Sequence, residues 1–373
     1  MINYLPGGGA EKVLISILKH IDRKRFEPHL LLIINEGIYK SELPSDIKLL
    51  SFFGSKENIK GSIARFIYCA YRRLLLYIAS KIPSFLKFLS PVKERFDIGI
   101  SFNHGYATAL LWVQQEHFSK KVAWFHNDVS KYDTGFNETI LKKIASLDKL
   151  FFVSKDSLDG FYKTYRSFEN SPKLEVLYNP LDEEEITACL KKDEPVTFEK
   201  FTILSIGRLT AAKRFDKLIN AHRKLLDMGI DHEIWILGEG SDKPLLEEQI
   251  RSLKVGNSCF LKGFIPNPYT YLKAADIFVM TSDYEGFPVV ITESMHIGTA
   301  IVATNITGIR EALSYGKYGL LVENDETSII EGISEMITNA EMRNEYERRL
   351  ETGKENFIFS GAQQVLEDKL YSL

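Results

Sequence analysis

The sequence has few cysteines, little net charge and no long apolar run, and each shortage excludes a class of protein. Cys69, Cys189 and Cys259 are the only cysteines in 373 residues, and they form neither a disulfide framework nor zinc-binding spacing. The net charge is −3, whereas a dedicated nucleic-acid-binding protein usually carries a positive net charge. No run of about 18 apolar residues predicts a membrane-spanning helix, and the first residues show no signal-peptide pattern. We therefore expect a soluble protein of a reducing, cytoplasmic compartment.

Short apolar runs alternate with longer amphipathic segments along the whole chain. The runs lack the polar alternation of a half-exposed sheet, so they predict strands buried on both faces. They are residues 30–34, 96–101, 122–125, 150–153, 174–178, 201–206, 233–237, 259–261, 277–280, 300–303 and 319–322. The alternation of strand and helix predicts parallel sheets covered by helices, twice over. The predicted fold class is α/β, with two doubly wound parallel-sheet domains.

A charged connector marks the expected domain boundary. Asn179 and Pro180 end the last apolar run of the first half, and the charged segment that follows has no strand pattern. A new apolar run begins at Phe201. We predict an N-terminal domain over residues 1–185, a C-terminal domain over 196–355 with a cleft between them, and a helical tail over 356–373 that could pack on either domain.

One segment, residues 56–95, is much more basic than the rest of the chain. It contains nine basic and two acidic residues, a net charge of +7 against −10 for the remainder. Phenylalanines, tyrosines and leucines lie between the basic residues. This composition suits contact with an anionic membrane surface, and it equally suits a solvated helix pair that covers the sheet.

Two glycine-containing segments could bind phosphate. Gly8 and Gly9 precede a helical pattern, and glycines at a helix start let backbone N–H groups approach an anion. A plain tight turn explains them equally well, and no P-loop lysine follows. Gly207 directly follows a predicted strand, at the end where parallel sheets bind ligands. Arg208 and Lys213 there suit a diphosphate, although surface cations are more often solvated.

A pair of glutamates follows the predicted strand 277–280. Glu285 lies in the loop, and Glu293 lies five residues into the helix that Pro288 begins. Two such carboxylates can accept hydrogen bonds from sugar hydroxyls, while the helix N-terminus between them can hold phosphate. Paired carboxylates also occur in glycoside hydrolases, and Glu293 could instead be an ordinary residue of a helix face.

His126 ends the predicted strand 122–125, at the carboxyl end where ligands bind. Such a histidine could be catalytic or structural, and His104 has a similar but weaker claim. The other histidines show no spacing typical of metal ligands.

Taken together, these motifs resemble glycosyltransferase family 4. The matching segments follow the family order: GGGAEKVL, IGRLTAAKRFDKLI, ILGEGSDKPLLEEQI, FLKGFIPNPYTYLKAADIFVMTSDYEGFPVVITESM and AIVATNITGIREAL. The resemblance implies the GT-B fold, in which two Rossmann-like domains face a cleft. It also implies a retaining hexosyltransferase that uses a nucleotide-sugar donor, and the fourth segment most resembles members that use UDP-sugars to build O-antigen or capsule.

The resemblance also implies roles for individual residues. Glu285 would contact the donor sugar near its phosphate, and Glu293 would bind the ribose hydroxyls. The remaining donor contacts would be the diphosphate-binding Arg208 and Lys213 beside Gly207, the backbone of Gly286, Phe287 and Pro288, the segment Gly263 and Phe264 near the base, and the glycine loop with Gly8 and Gly9. His126 falls where many members keep a histidine near the donor sugar and acceptor.

The implied reaction transfers the hexose or N-acetylhexosamine on the donor's own face, and the leaving diphosphate helps to deprotonate the acceptor. The acceptor would be a lipid-linked saccharide at the inner leaflet, and residues 56–95 offer the contact with that membrane surface. No metal is expected to take part. Two alternatives remain open: a sugar-nucleotide epimerase that shares the GT-B fold, and a non-catalytic partner subunit.

The start of the chain departs from the family pattern. Members begin with a complete central strand, whereas only five residues precede Pro6 here. A shortened first strand would expose the edges of its neighbours. We therefore expect the natural protein to begin upstream of Met1, with a natural five-residue strand as the alternative.

Overall fold

The computed structural model describes residues 1–5, 7–103, 105–126, 144, 146–169 and 171–373. These residues form two compact units. Unit 1 contains Met1–Asn179 and Gly361–Leu373, and unit 2 contains Pro180–Ser360. None of the helices described here is long and apolar enough to span a bilayer.

Unit 1 is built on parallel strands with helices between them. Its strands are β1 (His29–Ile34), β2 (Lys48–Phe53), β3 (Phe96–Ser101), β4 (Phe118–Phe125), β5 (Lys149–Phe152) and β6 (Leu174–Val176). Its helices up to residue 164 are α1 (Gly9–His20), α2 (Ser62–Lys81), α3 (Leu86–Leu89), α4 (Tyr106–Val113) and α5 (Lys155–Thr164). The strands pair as β1-β2 and as β3-β4-β5-β6. Buried apolar and aromatic side chains such as Phe125, Phe152 and Phe161 fill the core of this unit.

The first residues of the chain lie between these two groups of strands. Ile2 is fully buried and forms a parallel bridge with Leu32 of β1. On the other side, the backbone N–H of Phe102 donates to the Met1 carbonyl at 2.9 Å. These bonds connect β1-β2 to the four-stranded group, so the short segment occupies the place of a central strand.

Unit 2 contains one six-stranded parallel sheet. Its strands are β7 (Thr202–Ile206), β8 (Glu233–Leu237), β9 (Cys259–Gly263), β10 (Ile277–Met280), β11 (Ala300–Thr304) and β12 (Leu320–Val322). The helices are α6 (Glu183–Lys192), α7 (Phe215–Asp227), α8 (Lys243–Ser252), α9 (Tyr269–Ala274), α10 (Val289–Ile297), α11 (Ile309–Ala312), α12 (Glu326–Thr338) and α13 (Ala340–Thr352). The spatial order β12-β11-β10-β7-β8-β9 is that of a doubly wound dinucleotide-binding fold.

The sequence pattern accounts for most of this architecture. All eleven apolar runs fall on strands, which confirms the predicted α/β class with parallel sheets. The apolar pattern does not predict β2, because Phe53 is the only buried residue of this strand. The charged connector contains α6, whose N-terminus is capped by Asp182 accepting from the Glu185 N–H at 2.9 Å.

The C-terminal helix α14 (Ala362–Tyr371) belongs to unit 1. Lys369 forms an ion pair with Glu175 of β6, and Asp368 accepts from Arg25 at 3.0 Å. The aromatic residues just before this helix, Phe357 and Phe359, are buried in unit 2.

A buried histidine pair lies in the core of unit 2. His222 on α7 and His232 are both fully buried, and His222 Nδ1 lies 2.8 Å from His232 Nε2. The other ring nitrogens lie 2.9 Å from the Ser258 hydroxyl and from the Ile230 carbonyl. Burial, reinforced by the neighbouring His232 and Arg223, lowers the pKa of His222 to about 3, and burial also lowers the pKa of His232.

We expect this pair to make the free energy of unfolding fall with acid. Below about pH 6.5 the unfolded chain binds protons at these histidines more readily than the folded chain, in which both pKa values are lowered. This stability is therefore complete above pH 6.5 and is lost on acidification. The loss for His222 should be about 2 kcal/mol between pH 7 and 5. Urea unfolding at both pH values measures it. His222→Gln should show a smaller loss than the wild type, whereas the exposed-site control His20→Gln should not; equal losses in all three proteins would contradict this.

Candidate functional site

The loops that follow β7 and β10 lie side by side in unit 2. These strands are parallel neighbours, with Ile203 opposite Ile277 and Leu204 opposite Phe278. The strand order reverses between them, and ligands of such sheets bind in the crevice beyond the carboxyl ends at this point. The segment 207–213 and the segment 281–288 therefore both start at the position where a ligand is expected.

Hydrogen bonds join these two loops directly. The Thr281 hydroxyl donates to the Arg214 carbonyl at 2.9 Å and to the Lys213 carbonyl at 3.2 Å. The Asp283 N–H donates to the Ala212 carbonyl at 2.9 Å. The backbone that carries Lys213 is thus fixed to the backbone that leads to Glu285.

Two of the predicted site residues contact each other. The Lys213 ammonium lies 2.5 Å from Glu285 Oε1, and the two side chains are 23% and 13% exposed. They are 72 positions apart in the sequence, and the switch point brings them together. Arg208, which follows β7 in the same loop, is exposed.

A cluster of paired charges follows Lys213, and the sequence does not predict it as part of the site. The Arg214 guanidinium bonds Asp216 at 2.9 Å and Asp283 at 3.0 Å. The Lys217 ammonium lies 3.3 Å from Asp283 and 2.7 Å from the Asn324 side-chain oxygen. Burial alone would raise the pKa of Asp283, but the hydrogen bonds from Arg214 and Asn324 and the nearby positive charges lower it. The cluster holds the ends of both loops, and the sequence gives no signal that these charges pair.

Glu293 lies in α10 and is only 4% exposed. The Tyr269 hydroxyl donates to its Oε1 at 3.3 Å. Burial and the Glu293 charge both raise the pKa of Tyr269, which therefore remains a hydrogen-bond donor. Pro288 is the N-cap of α10, so the helix begins one residue later than the sequence predicts.

Close backbone contacts explain several glycines around the site. Gly238 has φ +150°, and a Cβ there would lie 1.9 Å from the Gly207 carbonyl oxygen. Gly308 has φ +79°, and a Cβ there would lie 2.1 Å from the Gly286 carbonyl oxygen. A larger residue at either place would displace a loop that carries a predicted donor contact.

The remaining predicted site residues of unit 2 end or follow strands at the carboxyl edge of the same sheet. Gly263 ends β9 with φ +74°, and its carbonyl accepts from the Gly238 N–H at 2.8 Å. Phe264 follows it and is 42% exposed. Phe287 is buried and packs edge-to-face against Phe359.

Unit 1 carries three of the predicted residues. Gly8 is the N-cap of α1 and Gly9 is its first residue, so the helix begins one residue earlier than the pattern predicts. His126 follows β4 directly and is 9% exposed, with its ring 4.3 Å from that of Phe102 and 5.2 Å from that of Trp124. His104 lies outside the described residues.

Among the described residues, no three His, Cys, Asp or Glu side chains are grouped as a metal site requires. The independence of the reaction from metal stays a prediction.

Comparison with known proteins identifies the family. The model of the family "Glycosyl transferases group 1" matches residues 190–352. A Campylobacter jejuni protein, N-acetylgalactosamine-N,N'-diacetylbacillosaminyl-diphospho-undecaprenol 4-alpha-N-acetylgalactosaminyltransferase, is 30% identical over 361 residues, which cover 95% of this chain and 93% of that one. The chain belongs to the group 1 glycosyltransferases. It is therefore a glycosyltransferase, as the motifs predict.

Solved structures show the same fold over the whole chain. HepE from Anabaena, in complex with UDP and glucose, is 19% identical with a TM-score of 0.71, and the match covers 100% of this chain and 99% of that one. WaaG, a glycosyltransferase involved in lipopolysaccharide biosynthesis, is 13% identical with a TM-score of 0.65, and the match covers 99% of both chains. These similarities confirm the predicted GT-B fold.

Proposed function

We propose that this glycosyltransferase retains anomeric configuration and moves a hexose or N-acetylhexosamine from a UDP-sugar to a lipid-linked saccharide. The product would be a surface polysaccharide such as O-antigen or capsule. The observation that carries the proposal is the contact between Lys213 and Glu285 at the switch point of unit 2. The Campylobacter jejuni relative, named for an undecaprenol-linked substrate, supports the acceptor class, and the UDP complex of HepE supports the donor class.

The proposed donor contacts follow from the chemistry of each position. Arg208 and Lys213 stabilise the negative charge that grows on the leaving diphosphate, as an oxyanion site does. Buried Glu293 accepts hydrogen bonds from the ribose hydroxyls, and Glu285 accepts one from the donor sugar. The backbone of Gly286–Pro288 approaches the sugar and phosphates, and the segment 263–264 lies near the base.

The proposed reaction needs no nucleophilic side chain. The bond from the anomeric carbon to the diphosphate breaks while the acceptor hydroxyl attacks from the same face. The departing diphosphate oxygen takes the acceptor proton. His126 remains a proposed catalytic residue of unit 1.

Nucleotide binding is the direct test of the donor site. A ligand at 100 times its Kd stabilises a protein by about 2.7 kcal/mol, so UDP should raise the melting temperature. Arg208→Ala should weaken UDP binding by at least roughly tenfold, because a charge-assisted contact to phosphate is lost. Thermal shifts with UDP, GDP and ADP measure both effects. Arg223→Ala, which removes an arginine bound to Asp227 on the surface of α7, is the control. A cooperative melt that no nucleotide shifts would reject the proposed donor.

We also propose that residues 56–95 contact the inner-leaflet surface of an anionic membrane. In α2, only Ala79 is buried. The exposed apolar side chains include Ile63 (76%), Phe66 (75%), Ile67 (60%), Leu74 (56%) and Tyr77 (62%). With Tyr71 (54%) included, each of them lies three or four residues from at least one other, so they form one stripe of the helix. A solvated helix would present polar residues there, whereas an outward apolar stripe in a segment of net charge +7 suits an anionic bilayer.

A further inference from the structure

Two side chains with separate proposed tasks bind each other in the described structure. The inference below rests on the proposed function, in which Lys213 holds the donor diphosphate and Glu285 the donor sugar. Their 2.5 Å contact, with both groups mostly shielded from water, uses the positive charge that the diphosphate needs. A lysine ammonium is a point charge on a flexible stem, so it can change partners by side-chain rotation.

The backbone around Lys213 and Glu285 is held in place, so a change of partners involves only the two side chains. The Lys213 carbonyl accepts from Thr281, and the Gly286 carbonyl lies against Gly308, so the backbone on both sides is held. Two neighbouring cations are already paired: Arg214 is bound to Asp216 and Asp283, and Lys217 to Asp283 and Asn324. Neither of them is available to replace Lys213.

We propose that the Glu285 carboxylate binds the Lys213 ammonium while the donor site is empty. The diphosphate of an arriving nucleotide then displaces this carboxylate from the lysine. The displaced carboxylate can then turn to a hydroxyl of the donor sugar. UDP carries no donor sugar and so offers no such hydroxyl. It takes Lys213 from Glu285 and leaves the Glu285 carboxylate without its cation. Glu285 thus weakens the binding of the spent nucleotide and favours its release after transfer.

Calorimetric titration with UDP tests this inference. Glu285→Gln keeps the size of the side chain but removes its charge, so it should tighten UDP binding roughly three- to tenfold. General repulsion between a carboxylate and a diphosphate would have the same sign, and a double-mutant cycle separates the two causes. In a Lys213→Met background, Glu285→Gln should change UDP affinity less than about twofold, because no lysine remains to be released.

Glu239→Gln is a matched control. Glu239 follows β8 at the same end of the sheet, but its carboxylate is bound to Lys243 at 2.9 Å, so UDP affinity should stay unchanged. If wild type and Glu285→Gln bind UDP equally, or if the gain persists without Lys213, the inference is wrong while the donor site stands. If neither protein binds UDP, GDP or ADP, both the inference and the proposed function fail.

Discussion

Replacing Lys213 with methionine is expected to lower kcat for sugar transfer by roughly 100- to 1000-fold, the usual cost of removing one preorganised group that stabilises developing charge. Methionine keeps most of the length of the side chain and loses only the ammonium. The diphosphate gains negative charge as its bond to the sugar breaks, so the loss should appear in kcat more than in KM. UDP release from a UDP-sugar, with a lipid-linked saccharide as acceptor, measures it.

Lys243→Met is the control for this experiment. Lys243 is also a lysine paired with a glutamate, Glu239, beyond the carboxyl end of a strand, but it has no proposed donor contact. Its replacement should leave kcat within about twofold of wild type. A Lys213→Met enzyme with wild-type kcat would show that this lysine does not stabilise the leaving diphosphate.

The sequence predicts the strands well because most of them are covered on both faces. In β10 and β11 every residue is buried, so an uninterrupted apolar run is the expected signature. Most of β2 is only partly buried, and an edge strand of this kind leaves a weaker pattern. The strand-like segment Met1–Asn3 is harder still to predict, because a single bridge at Ile2 requires no apolar run in the sequence.

The site is only partly predictable, for a different reason. The family resemblance points to Lys213 and Glu285 separately. Their contact depends on β7 lying beside β10, and local sequence does not predict which strands pair. The same holds for the contacts of Asp283 with Arg214 and of Tyr269 with Glu293. Nothing in the local sequence around these residues indicates that the fold brings them together.

The apolar stripe of α2 gives the second large expected effect. Replacing Phe66, Ile67 and Leu74 together with serine should weaken binding to anionic vesicles by roughly 100-fold. Each of these side chains, inserted among lipid tails, contributes about 1 kcal/mol, and about 1.4 kcal/mol is a factor of ten. All three are more than half exposed, so the fold should tolerate the change. Co-sedimentation with vesicles that contain phosphatidylglycerol measures the affinity.

Three exposed apolar residues of unit 2 provide a matched control. Met228, Leu245 and Tyr315 are 61%, 70% and 67% exposed, and their joint replacement with serine removes similar apolar surface from unit 2, outside the basic segment. That variant should bind vesicles like wild type. Wild-type binding should also weaken with added salt and with neutral lipid, because the basic residues of 56–95 act through screened charge. If binding ignores lipid charge, or if both triple variants lose it equally, α2 is not the membrane contact, and its apolar stripe must be covered by something other than lipid.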